Sequence, residues 1–450
     1  MFKKILIANR GEIAVRIIRT CREMNIETVA IYSEGDKEAL HVQMADEAIC
    51  VGPAKTKDSY LNMENIISAT ILSGAEAIHP GFGFLSENSK FAKMCQECNI
   101  VFIGPLAEQI DLMGNKSQAR KTMIKANVPV VPGSEGAVCD VEEGLILAKK
   151  IGFPIMIKAS SGGGGRGMRV ATNEEEFKKS FRIAQNESQN AFGDSTMYLE
   201  RFIENPRHIE FQILADQYGH VIHLGERDCS IQRRHQKIIE ETPSPAMTEE
   251  LREAMGAAAI RAAQAIGYQN AGTVEFLLDS SQNFYFMEMN TRIQVEHPIT
   301  EMVTGIDLIE EQIKIAAGQP LSYQQEEITI RGHAIECRIN AEDPSKDFMP
   351  SPGRITELHV PGGLGVRVDS AVYYGYTIPP YYDSMVAKLI VHGENREKSL
   401  AKMKRALGEF IIQGVHTNID FQYDILHDED FQKGEFDTSF IAKKPRLGQV

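Results

Sequence analysis

The sequence predicts a multidomain protein of mixed class: an α/β, doubly wound N-terminal layer, a small α/β lid, and a C-terminal third of mixed α+β texture. Three observations predict it. Short β-branched runs alternate with helically spaced segments over the first 110 residues, the pattern of a parallel sheet wrapped by helices. A glycine run over residues 162–165 separates two strand patterns. The length of 450 residues corresponds to roughly three domains at about 150 residues each.

In chain order, residues 3–8 form an apolar run. Ile13, Ile17, Cys21 and Met24 then share a helical face, and residues 27–32 are β-branched, so the chain opens β-α-β. The alternation continues through residues 48–51, 63–73, 77–78, 89–98 and 100–103. Asn9-Arg10-Gly11-Glu12 follows the first strand, where a dinucleotide site needs G-x-G-x-x-G, so the layer is Rossmann-like in pattern and NAD binding is not expected. From Val128, prolines and glycines punctuate a smaller unit: a helix over 141–151, a strand over 154–159, the glycine run, a strand over 168–171 and a helix over 174–186. Strands dominate residues 197–239, a helix covers 248–267, a hairpin covers 271–290, and one helix is expected over 298–318. Beyond Arg331, Leu400, Met403, Leu407 and Phe410 share one face of a helix capped by Asn395.

Composition narrows the class of function. Charged residues make up 24% and hydrophobic ones 43%, as in soluble folded proteins. Lys and Arg number 48 against 62 Asp and Glu, and the net charge of -14 opposes broad attraction to nucleic acid or anionic membrane. Seven cysteines, an odd number scattered along the chain, read as reduced thiols, with Cys95 and Cys98 on adjacent turns of a helix. The apolar run after Lys3 and Lys4 is too short for a signal peptide, and no segment approaches the ~18 apolar residues of a membrane span. A cytoplasmic protein is expected.

Several motifs carry chemistry. Lys158 ends the strand before Ser160-Ser161-Gly162-Gly163-Gly164-Gly165-Arg166-Gly167. Glycines let consecutive N–H groups face a close anion, so this loop reads as a phosphate cradle or mobile flap, with a flexible hairpin tip as the plainer alternative. It is not a P-loop, because no Gly-Lys-Ser/Thr closes it and a strand follows. In the hairpin, aligning Asp279 with Phe284 across Ser280-Ser281-Gln282-Asn283 sets Glu275 opposite Glu288. Carboxylates at that cross-strand distance, about 5 Å, repel unless a cation intervenes. Period two puts Glu288, Asn290 and Arg292 on one face. Glu275, Glu288 and Asn290 are hard oxygen ligands suited to Mg²⁺ carrying nucleotide phosphates; the alternative is a solvated acidic face. Gln232-Arg233-Arg234-His235-Gln236-Lys237 reads as an anion-binding loop in an acidic chain. Glu336 and Arg338 alternate with Cys337 and Ile339, so Arg338 serves a ligand or pairs with Glu336. The glycine-bearing segment 79–88 follows a strand, the usual place for ligand contacts in an α/β sheet.

Together, Ile5-Leu6-Ile7-Ala8-Asn9-Arg10-Gly11-Glu12-Ile13-Ala14, residues 79–88, 162–168 and 232–237, and above all Glu288-Met289-Asn290-Thr291-Arg292-Ile293-Gln294-Val295-Glu296-His297-Pro298, resemble biotin carboxylases of the ATP-grasp superfamily. The resemblance spans nearly the whole chain. It implies an ATP-grasp fold with a Rossmann-like domain over 1–113, an ATP-grasp domain over 114–330 whose lid covers about 130–203, and a C-terminal domain over 331–450. It implies ATP-dependent carboxylation of biotin, with bicarbonate first activated as carboxyphosphate. Lys116, Lys158, Gly164, Gly165, His208 and His235 would meet the nucleotide, with Glu200, Arg201, Phe202 and Ile203 as the hinge against adenine. Glu275, Glu288 and Asn290 would hold Mg²⁺ or Mn²⁺. Lys237, Arg292, Gln294 and Val295 would surround bicarbonate, Glu296 would act as base, and Arg338, with Gly83 nearby, would serve biotin and its enolate. The same resemblance implies a homodimer serving acetyl-CoA carboxylase in fatty-acid synthesis. No Met-Lys-Met attachment motif is present, since Lys402-Met403-Lys404 falls within the amphipathic helix. Biotin is therefore expected on a separate carrier protein that also meets a carboxyltransferase. Two other readings remain open in the sequence: an ATP-grasp ligase with ammonia or an amine as acceptor, and a regulatory protein that binds nucleotide.

Overall fold

The computed structural model of the chain describes residues 1–159, 168–192, 195–444 and 447. They fall into two units: Met1–Val128 with Arg207–Phe276 and Glu288–Val450, and Pro129–Pro206 with Leu277–Met287. In the first unit, β1 (Lys4–Ile7), β2 (Glu27–Ser33), β3 (Glu47–Gly52), β4 (Ala77–His79) and β5 (Val101–Phe102) form a sheet in the order β3-β2-β1-β4-β5. Every pairing is parallel. β1 shows why its run is continuously apolar: Ile5 and Ile7 pack with Ile13 and Ile17 of the helix Gly11–Glu23, while Leu6 packs with Ile66 and Phe91, so both faces are buried. Asn9 donates to the carbonyls of Pro80 and Phe82, each at 2.7 Å, and Arg10 pairs with both oxygens of Asp36 at 2.6 and 2.7 Å. The turn that lacks dinucleotide glycines thus fastens the segment 79–88.

The first unit also carries most of a larger sheet. β9 (Arg207–Ala215), β10 (Val221–Arg233), β11 (Gln236–Thr242) and β14 (His333–Asn340) lie between the hairpin strands β12 (Asn270–Leu278) and β13 (Phe284–Asn290) on one side and the strands Met385–Gly393 and Val366–Ser370 on the other. The pairings from β9 to β14 and on to Met385–Gly393 are antiparallel. The predicted amphipathic helix is Arg396–Glu409, with the Asn395 side chain accepting from the Lys398 N–H at 2.9 Å and Leu400, Met403 and Leu407 buried.

In the second unit β6 (Ile155–Ala159), β7 (Arg169–Ala171) and β8 (Met197–Arg201) form an antiparallel sheet in the order β7-β6-β8. Phe177 and Phe181 of the helix Glu174–Phe192 pack on Ile155, Ile157 and Leu199. The glycine run, Gly164 and Gly165 included, lies outside the described residues.

Two expectations change. The single helix over 298–318 is two, His297–Thr304 and Leu308–Ala316. Gly305 ends the first in the left-handed region, at φ +76°, and Asp307 starts the second by accepting from the Glu310 N–H. In the hairpin, the Asp279 N–H donates to the carbonyl of Asn283, one residue short of the expected alignment with Phe284. The Asp279 carboxylate also accepts from the N–H groups of Ser281 and Asn283, which tightens the turn.

The parallel sheet has a measurable acid liability. His41 and His79 are fully buried. Burial, opposed by Asp36, lowers the His41 pKa to about 4; burial and the Arg16 charge lower that of His79 to about 3. The His79 Nδ1 accepts the Gly81 N–H at 3.1 Å, a bond that a protonated ring cannot accept. Both folded values lie below the unfolded one of about 6.5. The neutral rings therefore stabilise the fold fully above that pH, and the contribution is lost as pH falls toward 4. Denaturant titrations at pH 7, 6 and 5 should show unfolding free energy falling by up to roughly 1.4 kcal/mol per pH unit for each histidine. His41→Gln should reduce that slope; an unchanged slope would refute the assignment to His41.

Candidate active site

Strand periodicity turns one set of polar residues inward from the large sheet. β9 presents His208, Glu210 and Gln212, β10 presents Arg227 and Cys229, β11 presents Lys237, and β12 presents Glu275. All are buried except Lys237, whose side chain keeps a small exposed fraction. The Lys237 ammonium sits at the centre. It donates to Glu210 Oε2 at 2.6 Å, Glu296 Oε1 at 2.6 Å and Glu275 Oε1 at 3.1 Å. Behind Glu210, Arg227 donates to Glu210 at 2.6 Å, Gln212 at 2.8 Å and Thr300 at 2.9 Å.

Glu296 is held from both sides. Arg338 Nη2 reaches its second oxygen at 3.0 Å, while Arg338 Nε donates to Glu240 at 2.6 Å. Burial alone would raise the Glu296 pKa, but Lys237, Arg338 and Arg227 outweigh it and hold it well below the usual carboxylate range. Glu275 behaves likewise: burial opposes ionisation, and Lys237 and His208 overcome it. The same carboxylates, against burial, push the Lys237 pKa well up. These groups are ionised near neutrality. The Cys229 thiol, which donates to Glu296 Oε1 at 3.7 Å, is pushed well up by burial and by Glu210, so it stays protonated.

The segment after β13 extends the network. Asn290 and Gln294 donate to Glu275 Oε1 at 2.7 and 2.9 Å. Arg292 donates to Gln294 at 2.5 Å, to Asn290 Oδ1 at 3.2 Å and, through Nε, to Glu87 at 2.8 Å. Glu87 also accepts the Thr291 N–H at 3.0 Å, which ties the segment 79–88 to the site. The Val295 carbonyl accepts from the buried Lys388 at 3.0 Å, and Lys388 lies 3.1 Å from Glu12. Glu288 is raised by burial and by the charge of Glu275, and relieved by Lys116 and His208. Gly83 has φ +69°, and nothing lies within 4 Å of where a Cβ would stand.

The structure divides the basic segment 232–237. Gln232 turns in, donating to His208 Nδ1 at 2.7 Å, and Lys237 turns in to the carboxylates. Arg233 and Arg234 turn out to Asp347, and Arg233 also stacks on Phe348 at 3.9 Å. Arg234 and His235, at φ +50° and +65°, form the two-residue turn between β10 and β11, leaving His235 exposed at its tip. Alternation along a hairpin, not a common patch, decides where each cation points. Arg338 pairs with Glu240 of the neighbouring strand β11 and with Glu296 of the segment after β13, not with Glu336 on its own strand. In the second unit, Lys158 pairs with Glu200. The N–H groups of Arg201 and Phe202 are spent on the carbonyls of Pro132 and Pro154, at 2.7 and 2.8 Å, ahead of the buried Ile203.

The donor set suits a hard divalent ion. Glu275 is ionised, Glu288 is repelled by it, and Asn290 adds an amide oxygen once its hydrogen bonds rearrange. A tighter donor group, His208, Glu210 and Glu275, lies within 4.8 Å, but there Lys237 already neutralises the carboxylates. The sequence did not single out Glu210, Glu240, Glu87, Arg227, Cys229 or Lys388. Two of them had a local signal: Glu210 lies two residues from His208 on one strand face, and Glu87 lies within the glycine-bearing segment 79–88.

Comparisons with known proteins agree with this geometry. Residues 1–110 match the model described as biotin carboxylase, N-terminal domain; residues 115–324 match carbamoyl-phosphate synthase L chain, ATP binding domain; and residues 336–443 match biotin carboxylase C-terminal domain. Biotin carboxylase 1 of Bacillus subtilis is 62% identical over 449 residues, covering 100% of both chains. A pyruvate carboxylase subunit of Methanothermobacter thermautotrophicus is 56% identical, covering 99% of this chain and 91% of that one. Among solved structures, the biotin carboxylase domain dimer of Hydrogenobacter thermophilus 2-oxoglutarate carboxylase, in complex with MgADP, ADP and bicarbonate, is 54% identical with a TM-score of 0.91, covering 99% of this chain and 98% of that one. The chain belongs to the biotin carboxylase family, whose ATP-grasp architecture it carries from end to end.

Proposed function

We infer that the chain is a ligase that uses ATP and bicarbonate to carboxylate biotin, by way of carboxyphosphate. One observation carries the inference: an ionised, buried carboxylate, Glu296, is held between two cations that have chemically different tasks. Lys237 suits bicarbonate, and Arg338, always charged and fork-shaped, suits the oxyanion of deprotonated biotin. While both cations touch Glu296 it is ionised but weakly basic. As bicarbonate draws on Lys237 and biotin on Arg338, Glu296 recovers basicity next to the proton it must take. The base is therefore strengthened when its substrates arrive.

Around this centre, Arg292, Gln294 and Val295 are assigned to bicarbonate, and Gly83, with open space where a side chain would stand, to biotin. His208, Glu275 and Glu288, with Lys116 and Lys158, are assigned to the nucleotide, Glu200 to Ile203 to its adenine, and His235 to its outer edge. Glu275, Glu288 and Asn290 would hold Mg²⁺ or Mn²⁺, which neutralises phosphate charge during transfer. The remaining work falls to positioning: Gln294 and Asn290 orient Glu275, Glu87 orients Arg292, and Lys388 fixes the Val295 carbonyl.

The biotin would arrive on a separate carrier protein, and the chain would act as a homodimer, as its Hydrogenobacter relative is described. We assign it to acetyl-CoA carboxylase and fatty-acid synthesis on the resemblance of its sequence; Biotin carboxylase 1 of Bacillus subtilis, at 62% identity, has no acyl-CoA in its name, whereas the relative at 56% is a pyruvate carboxylase subunit. The latter supports a second reading, a pyruvate-carboxylating assembly, and reconstitution with each type of carboxyltransferase separates them.

Supplied with Mg²⁺, the protein should hydrolyse ATP in a bicarbonate-dependent way that free biotin stimulates; ammonia replacing biotin as the effective acceptor would overturn the assignment. Glu296→Gln should leave ATP affinity within about threefold while lowering biotin-stimulated turnover at least ~100-fold. Equal loss of binding and turnover would contradict its role as base. Glu275→Gln should raise the Mg²⁺ concentration for half-maximal activity by roughly 10- to 100-fold, and an unchanged requirement would remove Glu275 from the metal site.

A further inference from the structure

Behind Arg338 lies a pair of carboxyls that the proposed chemistry does not use. Glu240 on β11 and Glu336 on β14 are direct cross-strand partners, and both are fully buried. Glu240 Oε1 accepts from Arg338 Nε at 2.6 Å. Among the described residues, no group donates to Glu240 Oε2 or to either oxygen of Glu336. Two ionised carboxylates so placed would repel across a low-dielectric gap.

The surrounding charges do not offset both. Arg338 already faces Glu296 as well as Glu240, and its cross-strand partner Lys388 faces Glu12. Lys237, the next cation, is shared among three other carboxylates. Cys229 on β10 is a thiol pushed well up by burial and by Glu210, and Cys337, next to Glu336 along β14, is one pushed well up by burial, Glu240 and Glu336, so they add no cation. A proton is the remaining counter-charge.

We propose that Glu240 is the positioning residue for Arg338, and that Glu240 and Glu336 ionise as one group holding a single proton near neutral pH, so that Arg338 faces one negative charge from behind. The proposal rests on Arg338 serving the biotin oxyanion. Burial, the largest influence on each carboxyl, raises Glu240 to about 7 against the opposing charge of Arg338, and raises Glu336 well above the usual range against Lys388. One retained charge holds the guanidinium fork toward Glu296 and the substrate. Two would compete with the biotin oxyanion for it, and none would free the side chain to turn.

The test compares Glu240→Gln, Glu240→Asp, Glu336→Gln and Arg338→Gln with the parent, reading biotin-dependent kcat/KM against pH and bicarbonate-dependent ATP hydrolysis without biotin. Glu336→Gln, a neutral stand-in for the protonated acid, should keep kcat/KM for biotin within threefold at pH 7.5 and move its alkaline limb to higher pH, because the pair no longer has a second proton to lose. Glu240→Gln should lower kcat/KM for biotin at least tenfold while the biotin-independent rate stays within threefold. Glu240→Asp should recover part of the loss, and it carries the same comparison if Glu240→Gln does not fold. Unaltered biotin kinetics in Glu240→Gln, or an unmoved alkaline limb in Glu336→Gln, would overturn the pair while leaving Arg338 in place, provided Arg338→Gln loses biotin stimulation. If Arg338→Gln retains it, the functional assignment falls and the pair with it.

Discussion

A single buried ammonium organises the site. Lys237 reaches three carboxylates drawn from β9, β12 and the segment after β13, and each of those acids would be costly to bury without it. The sheet must close in register before the ammonium and its acids meet, so the charges cannot be compensated piecemeal. Every neighbouring contact follows from this. Arg227 takes the far oxygen of Glu210, Asn290 and Gln294 share Glu275, and Arg338 takes the oxygen of Glu296 that Lys237 leaves.

The arrangement changes the meaning of the acidic composition. The cations proposed to receive anions are not a bare positive patch. Lys158 has Glu200, Arg292 has Glu87, Arg338 has two glutamates and Lys237 has three. An incoming anion must therefore replace a carboxylate at a cation, and it succeeds by offering better geometry than the resident. Recognition by exchange favours small planar anions such as bicarbonate over a polyanion that offers only charge density, in keeping with a chain of net charge -14.

Much of this was legible in the sequence where the cause was local. Continuous apolar runs located strands of the parallel sheet and period-two alternation those of the hairpin, Asn395 announced its helix, and the run from Glu288 to Pro298 held the key polar groups within eleven consecutive residues, 288 to 298. What was illegible depended on register between distant strands. Nothing near Glu240 in the sequence tells that Arg338 lies beside it, and nothing near Glu12 tells of Lys388. The division of the basic run at 232–237 has a local cause, a turn at Arg234 and His235 that leaves Arg234 on Asp347 and Lys237 on Glu210. Gly305 was a missed local signal: the helical spacing on either side of it masked a break that its left-handed conformation makes complete.

The contact of Lys388 with Glu12 and the Val295 carbonyl joins three stretches of chain that match three separate family models, over residues 336–443, 1–110 and 115–324. Such stretches look like interchangeable modules when laid end to end. A buried lysine that answers to the other two removes that freedom: a first module lacking Glu12 would strand a charge beside the proposed base. Recombination among relatives would then be constrained at this point, with Glu12 and Lys388 inherited as a unit although they stand 376 positions apart in the chain.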